Sequence, residues 1–182
     1  MPKTFNRDIE LAGTSKITKN GSDVIGADGT VTIANLSITR AKLSTEAAVK
    51  HDGRTLGTIA TTGNTDVYML APSTGSVSAV YFNANDALAA NDANYITFSL
   101  VNLGQTGAGS ANILSAGDAN TTKSTGGTAL SATTTRTMVL TSTSADLNVT
   151  VGDLLRFRAA ASGTLANQVT IPRILVKYGG ST

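Results

Sequence analysis

The chain has 182 residues, enough for one ordinary domain with an appendage or for two small ones. Its 14 Lys and Arg against 12 Asp and Glu leave a net charge of +2, with no dense basic stripe of the kind a phosphate backbone requires, so nucleic acid is excluded as the expected partner. Cysteine is absent, which excludes disulfides and thiolate metal sites, and no apolar run approaches the roughly 18 residues that span a bilayer.

The N-terminal stretch MPKTFNRDIELAG carries no apolar segment of a secretory signal, and the expectation is a soluble chain assembled in a cytoplasm, with no membrane contact. Ala, Thr, Ser, Gly and Asn dominate, while aromatic residues make up 4% and charged residues 14%. Many Thr and Gly with few Glu, Lys and Leu disfavour helix and favour strands joined by turns. Such a chain builds a thin core, and association between subunits would supply burial that folding alone lacks.

Composition shifts near Gly53. Residues 1–53 carry 7 basic and 6 acidic groups, and residues 54–182 carry the same numbers spread over more than twice the length. The spacing in the first part predicts short extended pieces at Ile17–Lys19, Val24–Ile25 and Thr30–Ile33, divided by the turn dipeptides Asn20-Gly21 and Asp28-Gly29. Ser44 or Thr45 is placed to cap a short helix through Ala47-Ala48-Val49. Aliphatic residues here, among them Leu36, Ile38 and Leu43, are too scattered to make a core. Ordering a backbone costs about 1–2 kcal/mol per residue, and one buried Leu or Ile returns roughly 1.5–3 kcal/mol. Residues 1–53 therefore read as an extended arm that orders against a partner, with Leu36, Ile38 and Leu43 as its candidate partner-binding residues.

From Arg54 the pattern turns to β. Val77, Ala79 and Tyr81 alternate with Ser76, Ser78 and Val80, and Ile96, Phe98 and Leu100 alternate with Thr97 and Ser99. Met138 and Leu140 continue the series, as do Leu147, Val149 and Val151. Gly152-Asp153 then makes a turn, and Leu155, Phe157 and Ala159 alternate with Arg156 and Arg158. A last strand holds Val169, Ile171, Ile174, Val176 and Tyr178, with Pro172 at a change of phase. Seven or eight such strands with one polar face predict an all-β fold: a jelly-roll-like antiparallel β-sandwich over 54–182 behind an extended N-terminal arm over 1–53. Asn83–Asn94 and Gly104–Thr134 read as long loops, the second with a weak central strand at Asn112–Ser115.

Residues that carry chemistry are few. His51, the only histidine, lies in the polar run Lys50-His51-Asp52-Gly53 and reads as a solvated linker residue; catalysis would need a nucleophile brought to it from the β domain. The glycine-rich run Gly104–Gly109 lacks a following helix and any Gly-Lys-Ser/Thr, so a phosphate-cradling role is disfavoured against a plain loop. Asn83–Asp86 and Asn91–Asn94 are rich in side-chain oxygens, yet hold two carboxylates and no EF-hand spacing; turn formation is the simpler account. No pair among Asp66, Asp86, Asp92, Asp118, Asp146 and Asp153 is singled out for glycosidase chemistry. The expectation is no enzyme, no cofactor and no metal. Arg156 and Arg158 share one strand face, which is either a solvated surface or a contact with acidic residues of a neighbouring subunit; they are the candidate intersubunit contacts.

Two stretches carry a resemblance: SKITKNGSDVIGADGTVTIANLSITRAKLSTEA, similar to short β repeats near the N-termini of phage fibre and decoration proteins, and VTVGDLLRFRAAASGT, similar to the Gly-Asp turn and following strand of small jelly-roll virion domains. The chain thus resembles tailed-bacteriophage virion structural proteins. The resemblance implies a capsid decoration (cement) protein that binds major capsid or other virion subunits on the outer capsid surface. It also implies a homotrimer assembled in the host cytoplasm. The alternative is a head or tail fibre whose sandwich binds a host-surface glycan. A secreted carbohydrate-binding module is a third reading, opposed by the absence of tryptophan for stacking on sugars.

Overall fold

The computed structural model describes residues 17–19, 22–25 and 50–180, and the chain divides into two compact units, Met1–Ser44 and Thr45–Thr182. In the first unit, strands β1 (Ile17–Lys19) and β2 (Ser22–Ile25) pair antiparallel, with Ile17 opposite Ile25 and Lys19 opposite Ser22. Asn20-Gly21, expected as a turn, lies between them in sequence. The expected strand at Thr30–Ile33, the short helix after Ser44, and Leu36, Ile38 and Leu43 fall outside the described residues.

The second unit contains β3 (Lys50–Thr55), β4 (Gly63–Leu70), β5 (Gly75–Asn83), β6 (Tyr95–Asn102), β7 (Ala111–Asn112), β8 (Arg136–Thr137), β9 (Asn148–Val149), β10 (Leu154–Ser162) and β11 (Arg173–Gly180). One sheet has the order β4-β10-β6-β7, and the other β3-β11-β5-β8 with β9 also paired to β5; every pairing is antiparallel. The chain steps between sheets from β3 to β6. Its last two long strands then return to the middle, β10 between β4 and β6 and β11 between β3 and β5. With β8 and β9 taken as one interrupted edge strand, this is the eight-strand order of a jelly roll. The all-β sandwich expected from the alternation is the observed fold.

The domain edge differs from the one read in composition. Lys50–Gly53, assigned to the arm by their charge, form most of β3 and pair with Tyr178–Leu175 of β11. A polar edge strand has the composition of a linker, because little of it is buried: of its six residues only Asp52 is not exposed.

Alternation places the core between the sheets. Leu155, Phe157 and Ala159 of β10 are fully buried, as are Ile96 and Leu100 of β6 and Val176 and Tyr178 of β11. At the centre Phe82 from one sheet meets Phe98 and Phe157 from the other, with ring centroids 4.7 and 6.1 Å away, and Phe98 lies 6.0 Å from Phe157. These separations are those of favourable aromatic pairs. Three rings thus sit at the centre of a core otherwise made mainly of Leu, Ile and Val.

Four strand expectations are corrected. In β5 the inward residues are Val77, Val80 and Phe82, whereas Ala79 and Tyr81 face out, because the pairing with β11 slips by one residue at Ser78. The Ser78 hydroxyl donates to the Lys177 carbonyl at 3.2 Å at this bulge. The last strand begins only after Pro172: Val169 makes a separate bridge to Ile59, and Ile171 adopts φ 47° at the surface. Around Met138–Leu140 only Arg136–Thr137 form a strand, and Leu147 ends a 3-10 turn that runs straight into β9. The weak strand expected at Asn112–Ser115 is β7, shifted to Ala111–Asn112.

The segment 104–134 is packed despite its loop composition. Leu114 bridges Leu140, Leu130 bridges Leu88 and Thr121 bridges Thr97. Asn120 is 1% exposed; its amide donates to the carbonyls of Ser115 (3.0 Å) and Val139 (2.8 Å) and its oxygen accepts from Val139 N–H (2.9 Å). Arg136 donates to the carbonyls of Thr128, Ala119 and Thr121, each at 2.9 Å, and its guanidinium lies over the Phe98 ring. Backbone groups that have no ladder partner are satisfied by these side chains.

Candidate functional site

Two outer sheet faces carry the candidate sites. On the β4–β10–β6 face, Arg156 stands opposite Tyr68 and Val101, Arg158 opposite Asp66 and Ser99, and Leu154 opposite Leu70. Both arginines point away from Leu155 and Phe157, as the alternation requires. Their environments then diverge. Arg158 donates from Nε and Nη2 to the two carboxylate oxygens of Asp66, both at 2.7 Å. This forked bond holds the Asp66 carboxyl below its usual range against the opposing effect of partial burial, and the charges of Arg158 and Arg156 pull the same way. The Arg158 guanidinium is thereby engaged within its own sheet.

Arg156 is different. Its Nε is buried and has no hydrogen-bond partner among the described residues. On the same face Tyr68 and Leu70 are 51% and 58% exposed, high for an aromatic and a leucine side by side on a long paired strand. Tyr68 and Leu70 beside the Arg156 side chain form a mixed apolar and cationic patch. A partner that brings an apolar patch would cover Tyr68 and Leu70.

On the opposite side of the sandwich, the β3–β11–β5 face is arranged in rows: Thr55–Arg173–Asn83, Gly53–Leu175–Tyr81 and His51–Lys177–Ala79. A cleft of about 420 Å³ lies over the first two rows, bounded also by Arg54 and Thr135. His51, read from the sequence as a linker residue, is an edge-strand residue beside Lys177 on this face.

The other sequence candidates are used in holding loops. Asp92 accepts from Thr125 N–H (2.8 Å) and hydroxyl (3.1 Å), Asn91 accepts from the amides of Ala93 (2.8 Å) and Asn94 (2.7 Å), and Asp86 accepts from the Thr170 amide (2.6 Å) and hydroxyl. The hydrogen bonds from Thr170 and Thr125 hold the Asp86 and Asp92 carboxyls below their usual range. Gly104–Gly109 connects β6 to β7, with Gly104 and Gly107 at positive φ and Gly109 N–H donating to Leu103 at 2.7 Å. Among the described residues no group of three or more His, Asp or Glu side chains comes together. Asp153, in the Gly152-Asp153 turn, accepts from Thr150 N–H (2.8 Å) and the Asn102 amide (2.9 Å) and so closes the β9–β10 turn.

Tyr68, Leu70 and Arg173 carry no signal in the sequence that marks them as site residues, and Tyr81 reads there as a core position. Phase is the one hint: Tyr68 and Leu70 are the out-of-phase apolar partners of Val67 and Met69, but their exposure follows only from the sheet order. Compared with family models, curated proteins and solved structures, the chain finds no match in any of the three.

Proposed function

We propose that the chain is a virion structural protein that decorates and stabilises a phage capsid by binding major capsid subunits, and that it catalyses no reaction. The observation that carries this reading is the β4–β10–β6 face, where exposed Tyr68 and Leu70 lie beside the half-buried Arg156. Burying the exposed half of those two side chains is worth roughly 1–1.5 kcal/mol each before ordering terms. An acceptor placed against the terminal nitrogens of the Arg156 guanidinium would add a charge-assisted hydrogen bond. Jelly-roll sandwiches serve capsids and lectins alike, so the face and not the fold supports the choice. The arm residues Leu36, Ile38 and Leu43 give a second grip in this scheme. Three arms in a homotrimer turn modest contacts into lasting attachment.

The experiment is co-sedimentation of the full chain with purified undecorated capsids. The wild type saturates them; Arg156→Ala and the pair Tyr68→Ser with Leu70→Ser each weaken binding at least tenfold, as does replacement of Leu36, Ile38 and Leu43 by Ser. A wild-type chain that stays in the supernatant overturns the reading. A head or tail fibre role, with the sandwich holding a host-surface glycan, is the second reading, and the cleft on the β3–β11–β5 face is the observation that favours it.

A further inference from the structure

We propose that the cleft on the β3–β11–β5 face binds a carboxylated sugar unit of an acidic polysaccharide. The inference deepens the glycan-binding part of the second reading by naming the class of sugar, and does not depend on the docking role of the opposite sheet; a chain held to a particle by its β4–β10–β6 face would present this cleft outward.

Charge selects the sign of the ligand. The three rows of the face hold Arg173 and Lys177 and no carboxylate. The nearest acid, Asp52, is one position out of phase and is taken by Arg54, whose Nε lies 3.0 Å from its carboxylate. The remaining described ion pairs are Lys123–Asp118 and Arg158–Asp66, so neither Arg173 nor Lys177 has an acidic partner among the described residues. With no acidic partner for either cation among the described residues, the face favours an anion, and Arg173 is the cation that lines the cleft itself.

Shape and lining select its class. The volume of about 420 Å³ falls within the range of about 300–1,000 Å³ of small-molecule clefts. Gly53, opposite Leu175, brings no side chain into the cleft, and a Cβ there would rest in ordinary contact, 3.5 Å, with Leu175 Cδ1. The floor is therefore apolar, made by Leu175 with the half-buried Tyr81 beside it. Above it the exposed Arg173 offers the planar fork that matches a carboxylate, and Asn83 and Thr135 offer groups suited to hydroxyls. A ring with one apolar face, several hydroxyls and one carboxylate satisfies all three sets. A neutral sugar leaves Arg173 unpaired, and a bare phosphate leaves the apolar floor unused.

The test is calorimetric titration of the full-length protein with a panel of oligosaccharides bearing glucuronate, galacturonate or sialate, against neutral maltohexaose and inorganic phosphate. At least one acidic member binds, with a Kd between about 10 μM and 1 mM, and at least tenfold more tightly than maltohexaose or phosphate. Arg173→Ala weakens that binding at least tenfold and Arg173→Lys by less. Gly53→Leu, which fills the cleft without touching a charge, also weakens it, while circular dichroism verifies that each variant is folded. The proposal is overturned if no acidic member outbinds maltohexaose, if phosphate binds as tightly, or if folded Arg173→Ala and Gly53→Leu both bind like the wild type. Capsid co-sedimentation reads the other sheet, so a failure there and a failure of the titration are distinguishable.

Discussion

Arg158 and Asp66, 92 residues apart in sequence, face each other across the β10–β4 register and share two 2.7 Å hydrogen bonds. The pair locks the register of these two strands and leaves Arg156 as the cation of that face with an unpartnered donor.

Asp66→Asn removes the forked bond and leaves Arg158 without its counter-charge. The expected loss is about 1–2 kcal/mol at pH 7, between a fully exposed and a fully buried pair. Because the folded-state pKa of Asp66 lies below its unfolded value, the pair's contribution is fully present above the unfolded pKa. It is lost as pH falls through the folded one. Urea denaturation of both proteins at pH 7 and in the acid range below the unfolded pKa checks this: the gap between them should narrow as pH falls. An equal gap at both pH values would contradict the assignment.

Asn120 faces two carbonyls with its amide and one N–H with its oxygen. Asn120→Ala orphans the Ser115 carbonyl and the Val139 N–H, while the Val139 carbonyl keeps its bond from Ser115 N–H, and should lower stability by about 1–3 kcal/mol. Asn120→Asp keeps the shape but aims an ionised oxygen at the Ser115 and Val139 carbonyls. It should be strongly destabilised at pH 7 and partly rescued at acid pH, where the protonated acid donates again. Thermal melts over pH 4–8 distinguish the two variants.

Tyr178 is fully buried, and its hydroxyl has no hydrogen-bond partner among the described residues. Burial, reinforced by the nearby Asp52 charge, pushes its pKa well above the usual tyrosine value. Tyr178→Phe removes the orphaned hydroxyl and keeps the ring, so stability should rise by about 1 kcal/mol. A chemical denaturation curve with a lower midpoint would reveal a partner for the hydroxyl.

The parts of the fold legible in the sequence are those where pairing is regular. Strand β10 runs nine residues without a bulge, so period alone sorts Leu155, Phe157 and Ala159 to one face and Arg156 and Arg158 to the other. In β5 the extra residue at Ser78 reverses the phase, so period alone turns Tyr81 inward, whereas it faces the cleft. The segment 104–134 has a loop's composition because what organises it is polar: Asn120, Thr122 and Arg136 bond to carbonyls and amides and leave no apolar period. The cleft itself is illegible in the sequence for a topological reason. It joins Gly53, Tyr81 and Leu175, which become neighbours only because β11 returns between β3 and β5.

Electron cryomicroscopy of the assembled particle tests most directly the central claim, that this jelly roll decorates a capsid through one sheet face. Sandwich density is expected on the outer capsid surface, with Tyr68, Leu70 and Arg156 against a capsid subunit and Arg173 turned toward solvent. Density confined to a fibre, or a sandwich seated on the shell by its β3–β11–β5 face, would contradict it.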